Sequence, residues 1–194
     1  MTHISGIVYS DIDVSPSIKA IYWKNGLMDI FSPSLTMKEA AKEIARQPLH
    51  HEPGTKFTYS LGIDVLGSLV EEISGMSFAD FLSERIFKPL GMNDTYFNLP
   101  KKNYNRLVPV LTRDGQGWKI FDTEVYDVDY PIMEGKTFFS GGAGLSSTVR
   151  DYAKFLQVLI QDGNGNNKQI LGKKTCELLY ENQLRGIEDW SLGL

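Results

Sequence analysis

Tyr59 is the residue whose place in the sequence points most directly to chemistry. It follows the turn signal Pro53-Gly54 and the short run Phe57-Thr58. A helical pattern starts directly after it, so Tyr59 is expected at the mouth of a helix, where a side chain can be held rigidly at the edge of a cleft. A free tyrosine has a pKa of about 10, and its phenol therefore acts as a base near neutral pH only beside cations that favour the phenolate.

Other chemistry-bearing patterns in the chain are weaker. His50, His51 and Glu52 could suggest a metal site, but adjacent side chains point apart in regular structure, and the pattern His-Glu-x-x-His is absent. The glycine run at residues 141–144 lacks the lysine of a phosphate-binding loop. The nucleophile elbow Gly-x-Ser-x-Gly does not occur either. We therefore predict an exposed loop at residues 50–52, no metal and no cofactor.

Hydrophobic periodicity predicts that helices position these residues. They are expected over residues 36–47, 63–74, 77–87, 148–159 and 173–182, with a short one at 18–23. Thr36, Ser77 and Thr148 are expected N-caps, because an acidic residue follows each of them three positions later. Residues 104–122 predict a β-hairpin around Asp114-Gly115, residues 123–140 a loop, and residues 190–194 the start of a strand.

The apolar side chains of these helices are expected to face a core. They recur at spacings of three and four residues, as on one face of a helix. The stripes contain Ile63, Leu66, Leu69, Val70 and Ile73; Phe78, Phe81, Leu82 and Ile86; Val149, Tyr152, Phe155, Leu156 and Leu159; and Leu178 and Leu179. Cys176, the one cysteine, is expected to be a half-buried packing thiol.

Several short motifs follow one another in a specific order between residues 52 and 95. They are Tyr59-Ser60, Leu66-Gly67, Ser74-Gly75, Pro89-Leu90-Gly91-Met92 and Asp94-Thr95. In this order they resemble the serine β-lactamase and penicillin-binding-protein superfamily, and most closely its class C β-lactamase and family VIII esterase branch. The segment Thr-His-Ile-Ser-Gly-Ile at residues 2–7 is similar to a Thr-His-Thr-Ser-Gly-Leu segment of that family.

The resemblance implies an α+β fold: the mainly helical lobe of the β-lactamase/transpeptidase-like fold, with a small β-hairpin. It implies a serine hydrolase (an esterase, D-amino peptidase or lactamase) that acts on an ester or amide through an acyl-enzyme. Tyr59 would be the catalytic tyrosine that shares the proton transfers. The loop of Ser140, Gly141, Gly142 and Ala143 would border the substrate cleft, and the alternative is a flexible connection that only caps the next helix.

Two family motifs are absent from the 194 residues. No serine stands three residues before any lysine, so there is no Ser-x-x-Lys nucleophile, and no late Lys-Thr-Gly or His-x-Gly occurs. We therefore expect residues 1–194 to be one domain fragment from the middle of a β-lactamase-like domain, inactive alone. Leu61 stands where the lactamase branch has Asn, and since leucine forms no side-chain hydrogen bond, this favours an esterase-like or peptidase-like relative.

Composition narrows the partners of the chain. The net charge is -4 with both signs dispersed, which gives no basic patch for nucleic acid. No apolar run reaches the length of a membrane span, and no signal peptide is present at the start of this chain. We expect a small ester or amide, or a peptidoglycan-like compound, as substrate, with possible homo-oligomers through exposed apolar surface. A non-catalytic binding or sensor protein on the same scaffold is the alternative, and the compartment stays open.

Overall fold

The fold is taken from a computed structural model that describes residues 2–10, 15–27, 35–121, 127–184 and 186–187. Helices predominate in these ranges, and the strands form two small antiparallel sheets. The helices are α1 (Pro16–Lys24), α2 (Met37–Ala45), α3 (Gly62–Ser74), α4 (Phe78–Leu82), α5 (Lys88–Leu90), α6 (Val149–Ile160) and α7 (Lys173–Leu179). The strands are β1 (Leu111–Arg113), β2 (Trp118–Ile120), β3 (Asn164–Gly165) and β4 (Lys168–Gln169). The predicted α+β class is confirmed.

The N-caps predicted from the sequence are largely in place. Thr36 and Glu39 form the full capping box at α2, in which each side chain bonds the backbone of the other. Ser77 accepts from the Asp80 amide at the start of α4. At α6 only half of the box forms: Thr148 accepts from the Asp151 amide, but the Asp151 carboxylate bonds a different segment. The capping pattern therefore predicted where α6 begins, but it did not predict that the Asp151 carboxylate bonds the Asp94 amide.

The helix that begins with α4 runs further than the sequence predicts. A π-helical turn (Ser83–Phe87) connects α4 directly to α5, which contains Pro89 in its first turn. Gly91 ends the run with a left-handed backbone at φ 66°.

The predicted hairpin is shorter than expected. Thr112 pairs with Lys119 at its centre, and the Val110 carbonyl oxygen accepts from the Phe121 amide at 2.8 Å beyond the paired strands. Lys101–Arg106, at the start of the predicted hairpin, is a 3-10 helix instead. In the other small sheet β3 pairs with β4, with Asn164 opposite Gln169 and Gly165 opposite Lys168. Within the predicted loop 123–140, Tyr130–Ile132 form a 3-10 turn. The predicted strand at 190–194 lies outside the described residues.

Several apolar stripes do not face a core in this chain. Val149 is 89% and Ile73 78% exposed, and Leu178 and Leu179 are exposed as well. On α6 the buried residues are Asp151 and Val158 instead. Helical spacing identifies a face but not its partner, and the described residues do not cover these faces. Cys176, expected to be half-buried, is fully buried.

Among the described residues, buried apolar side chains form three small clusters. The cluster next to Tyr59 contains Val8, Tyr9, Tyr22, Leu27, Ile44 and Leu61. The others centre on Phe87, Leu90, Met92 and Val158, and on Met37, Ala40 and Phe138. Across the described ranges, every helix is too short or too polar to cross a membrane.

Candidate functional site

Tyr59 lies at the surface between the Pro53-Gly54 turn and the start of α3. Gly54 has φ +82° in the turn, and α3 starts at Gly62. The side chain of Tyr59 is 38% exposed, whereas its neighbours Thr58 and Ser60 are buried. The predicted position at a helix mouth, after a tight turn, is therefore observed.

Two aromatic rings from the N-terminal segment hold the Tyr59 ring. The Tyr9 ring is stacked on it with centroids 5.1 Å apart, and the His3 ring lies 4.8 Å away at 42°. None of the described residues forms a hydrogen bond with the Tyr59 hydroxyl. Aromatic contacts thus hold the ring, and they do not involve its hydroxyl.

His3 joins the N-terminal segment to the backbone of this site. Its Nδ1 accepts from the Ser60 amide at 3.2 Å and lies 3.1 Å from Ser60 Oγ. Its carbonyl oxygen accepts from the Thr58 amide at 2.8 Å. Burial lowers the pKa of His3, which favours the neutral ring that these contacts require. His3 therefore aligns the residues on both sides of Tyr59.

The loop at residues 140–144 is attached to α3 by a buried carboxyl group. Asp64 Oδ1 accepts from Ser140 Oγ and from the Gly141 amide, both at 2.8 Å. Ser140 Oγ in turn accepts from the amides of Gly142 and Ala143 at 3.2 and 3.3 Å. Ser140 is 1% exposed, so its hydroxyl bonds the loop backbone on the buried side. Ala143 is exposed.

The structure brings Tyr59 and this loop together through Tyr9. A Cβ atom added at Gly142 would lie only 2.6 Å from the Tyr9 hydroxyl, so the loop backbone is packed directly against that ring. The face of the Tyr9 ring is stacked on the Tyr59 ring. Tyr59 and Gly142 therefore both contact Tyr9, although 80 residues lie between Tyr59 and Ser140 in the chain.

A cleft of about 240 Å³ opens on another side of the loop. Its walls are the loop backbone at residues 140–145 and the apolar side chains of Phe78, Leu82 and Phe97. An added Cβ at Gly144 would lie 2.9 Å from the Phe97 ring, so only glycine fits there without a shift. The loop backbone therefore contacts both the Tyr9 hydroxyl and the apolar side chains of this cleft.

Lys136 is a buried cation that supports the aromatic wall. Its Nζ donates to the carbonyl oxygens of Phe97 and Tyr130, at 2.9 and 2.6 Å, and lies 4.2 Å from the centre of the Tyr130 ring. Burial lowers the pKa of Lys136. Burial, and then the charge of Asp64, raise the pKa of Tyr130 to about 12. These groups stabilise the segment that leads into the loop.

The Asp94-Thr95 motif has a structural role. Asp151 Oδ2 accepts from the Asp94 amide at 2.7 Å and from Thr95 Oγ1 at 3.1 Å, which connects this turn to the start of α6. Lys154 pairs with the other carboxylate oxygen of Asp151 at 2.9 Å. Burial opposes ionisation of Asp151, but these hydrogen bonds outweigh it and lower the pKa of Asp151.

Two residues that the sequence singled out have structural contacts next to Tyr59. Leu61 is 2% exposed and packs in the core with Val8 and Tyr9. His51 contacts the Glu52 carbonyl and, at 3.1 Å, Thr58 Oγ1, so it braces the turn. Within the described ranges, no group of three or more metal-binding side chains is close enough to hold an ion.

Sequence reasoning missed His3, Tyr9 and Asp64 as parts of this site. The contacts of His3 and Tyr9 with Tyr59 join distant segments, and no local pattern reveals them. Asp64 did leave a signal, because it is a charged residue between Ile63 and Val65 on a helix whose neighbouring positions are apolar.

Comparison with known proteins assigns the chain to a family. Residues 1–193 match the family model described as Beta-lactamase. Protein Rv1367c of Mycobacterium tuberculosis is 31% identical over 185 residues, which are 95% of this chain and 43% of that protein. The lovastatin esterase of Penicillium rubens is 27% identical, with 95% of this chain and 43% of the esterase covered. Esterase EstB of Burkholderia gladioli is 28% identical, with coverages of 82% and 43%.

Solved structures show the same fold. EstCE1, a hydrolase with promiscuous acyltransferase activity, superposes with a TM-score of 0.73 at 22% identity, covering 91% of this chain and 48% of that chain. The LovD6 mutant of simvastatin synthase from Aspergillus terreus superposes with a TM-score of 0.69 at 27% identity, covering 94% and 39%. The chain thus spans less than half the length of these relatives. Because the family model covers nearly all of it, the chain belongs to the β-lactamase family.

Proposed function

We propose that this chain is the central part of a serine hydrolase that opens an ester or amide through an acyl-enzyme, with Tyr59 sharing the proton transfers. The observation that carries the proposal is the placement of Tyr59: its ring is held by Tyr9 and His3 while its side chain stays 38% exposed. A catalytic proton carrier needs this combination of fixed geometry and access. Two of the similar proteins are named esterases, which supports an ester as the substrate.

In this proposal the serine nucleophile belongs to a part of the whole protein outside residues 1–194. Its hydroxyl proton passes to a base as the oxygen attacks the carbonyl carbon, and that proton is then delivered to the leaving group. Water then hydrolyses the acyl-enzyme and restores the serine. Tyr59 can accept a proton near neutral pH only beside a cation, which the same outside segment would supply.

The loop at residues 140–143 would form one wall of the substrate cleft. Gly141, Gly142 and Ala143 present their backbone and the small Ala143 side chain there, and Ser140 holds them from beneath. The apolar rings of Phe78 and Phe97 next to this backbone fit the uncharged part of a small ester or amide better than a charged group. A peptidoglycan-like substrate would have to reach the loop through its amide portion.

The test uses the whole protein that contains this chain. It would be mixed with nitrophenyl butyrate and with a chromogenic cephalosporin, and its intact mass would be recorded during turnover. We expect ester hydrolysis that exceeds cephalosporin hydrolysis, together with a mass increase equal to one butyryl group. A protein that binds such ligands in calorimetry, with neither turnover nor a mass increase, would instead be a non-catalytic binder. A Ser-x-x-Lys motif in the rest of the protein would support the enzyme in advance of any assay.

A further inference from the structure

Asp64 is the most unusual buried group near the candidate site. Its side chain lies in the first turn of α3 and the residue is only 2% exposed. None of the ion pairs among the described residues includes it. A buried carboxyl group without a cationic partner costs free energy that an apolar residue would avoid. A position that carries such a cost is a candidate for a role beyond packing.

The two oxygens of Asp64 have different surroundings. Oδ1 accepts two hydrogen bonds of 2.8 Å, from Ser140 Oγ and the Gly141 amide. Oδ2 is buried and has no hydrogen-bond partner among the described residues. The Gly142 amide lies close enough to favour the charged carboxylate, but its own hydrogen bond goes to Ser140 Oγ at 3.2 Å. Burial is the largest influence and raises the pKa of Asp64.

These hydrogen bonds set the backbone of the loop residue by residue. Asp64 fixes Gly141 directly, and through Ser140 Oγ it fixes Gly142 and Ala143. Three successive amides therefore depend on one carboxyl group. The three amides donate to Asp64 and to Ser140. The same loop residues line the cleft.

The loop has little freedom to compensate if this anchor is lost. A Cβ at Gly141 would lie 2.9 Å from the Ile63 carbonyl oxygen, and one at Gly142 would lie 2.6 Å from the Tyr9 hydroxyl. The backbone is thus packed against α3 and against the ring that supports Tyr59. A small displacement of the loop would alter the cleft wall and the Tyr9 contact together.

We propose that Asp64 is a positioning residue which, through Ser140, holds the loop at residues 140–143 as the substrate-facing wall beside Tyr59. The substrate part of this inference rests on the proposed function above. If Asp64 has this role, its replacement should change mainly KM, because Asp64 bonds the loop and forms no hydrogen bond with Tyr59. A purely structural anchor would lower the melting temperature and leave KM unchanged.

The experiment compares four variants of the whole protein. Asp64→Ala removes the anchor, Asp64→Asn keeps an oxygen acceptor for Ser140 and Gly141, and Ser140→Ala removes the hydroxyl. The matched control is Asp80→Asn, because Asp80 accepts from Ser77 Oγ at 2.7 Å in a similar pair that is exposed and distant in the chain from the loop. Each variant is measured for kcat, KM, melting temperature and hydrogen exchange in peptides that cover residues 139–145.

For Asp64→Ala and Ser140→Ala we expect exchange in the loop to accelerate and KM to rise, by roughly tenfold to a hundredfold for Asp64→Ala, with a smaller change in kcat. Asp64→Asn should restore most of both properties, and Asp80→Asn should match the wild type. If Asp64→Ala does not fold, the same comparison between Ser140→Ala and Asp80→Asn decides the matter.

Two results would overturn the inference. One is wild-type exchange in the loop of both truncation variants, and the other is faster exchange with an unchanged KM. An inactive wild-type protein would refute the proposed function instead. In that case the exchange measurement still decides whether Asp64 holds the loop.

Discussion

The ring of Tyr59 is stacked on the ring of Tyr9, with centroids 5.1 Å apart and planes inclined by 26°. Tyr9 is buried and belongs to the core cluster that includes Leu61, whereas Tyr59 is partly exposed. The stack therefore connects a rigid interior to a side chain at the surface. Aromatic pairs of this kind contribute about 0.5–1.5 kcal/mol beyond the area that they bury. The stack therefore favours one orientation of the Tyr59 ring without using its hydroxyl.

Removing only the hydroxyl of Tyr59 separates its proposed chemistry from its packing. In the whole protein, Tyr59→Phe should lower kcat by about 10²–10⁴-fold, the usual contribution of general acid–base catalysis. KM and the melting temperature should hardly change, because the ring and its contacts with Tyr9 remain. Steady-state kinetics and a melting curve test this, with Tyr180→Phe as the control at an exposed tyrosine on the end of α7. A near-normal kcat for Tyr59→Phe would remove Tyr59 from the mechanism.

A methyl group at Gly142 probes the contact between the loop and Tyr9. Gly142→Ala would place its Cβ 2.6 Å from the Tyr9 hydroxyl, so the loop or the ring must move. We expect a loss of about 1–3 kcal/mol in unfolding free energy and a higher KM. The control is Gly172→Ala, where the nearest atom to the new Cβ is Thr175 Oγ1 at 3.7 Å. Urea unfolding and kinetics that match the wild type for Gly142→Ala would contradict the contact.

Asp151 should make the free energy of unfolding decrease at low pH. Its carboxylate accepts from Asp94 and Thr95 and pairs with Lys154, and its pKa in the folded protein is lowered. Stability from such a group is complete above its unfolded pKa, about 3.9, and is lost as pH falls through the folded value. Asp151→Asn should therefore cost about 1–3 kcal/mol near neutral pH, and the difference from the wild type should shrink below about pH 4.

Denaturant unfolding across pH measures this dependence. Asp162→Asn is the control, because the pair of Asp162 with Lys173 is exposed, with side chains 59% and 63% accessible, and exposed pairs contribute little. If Asp151→Asn costs no more than Asp162→Asn at neutral pH, the connection between α6 and the Asp94-Thr95 turn does not stabilise the fold.

Residues 1–194 produced alone should self-associate and should not hydrolyse nitrophenyl butyrate. Ile73, Val149 and Ile160 are 78%, 89% and 78% exposed on the faces of α3 and α6, and exposed apolar patches promote association. Light scattering should show dimers or larger species, and Val149→Lys with Ile160→Lys should reduce them. A monodisperse monomer, or turnover that disappears with Tyr59→Phe, would contradict these expectations.

Local sequence determined most of the helical framework and the place of Tyr59. The capping box at Thr36, the left-handed Gly75 and the Pro53-Gly54 turn each depend on a few neighbouring residues, so their patterns can be read in order along the chain. The motifs around Tyr59 identified the family for the same reason, since short spacings are preserved in a linear pattern.

The tertiary structure alone decided what these elements contact. The stack of Tyr9 on Tyr59, the bonds from Asp64 to the loop and the use of Asp151 by the Asp94-Thr95 turn all join residues that are far apart in the chain or on different elements. It also showed that Leu61 packs in the core and that Val149 faces outward. Helical periodicity states which side chains share a face, but the partner of that face depends on the packing of the whole chain, which no local spacing contains.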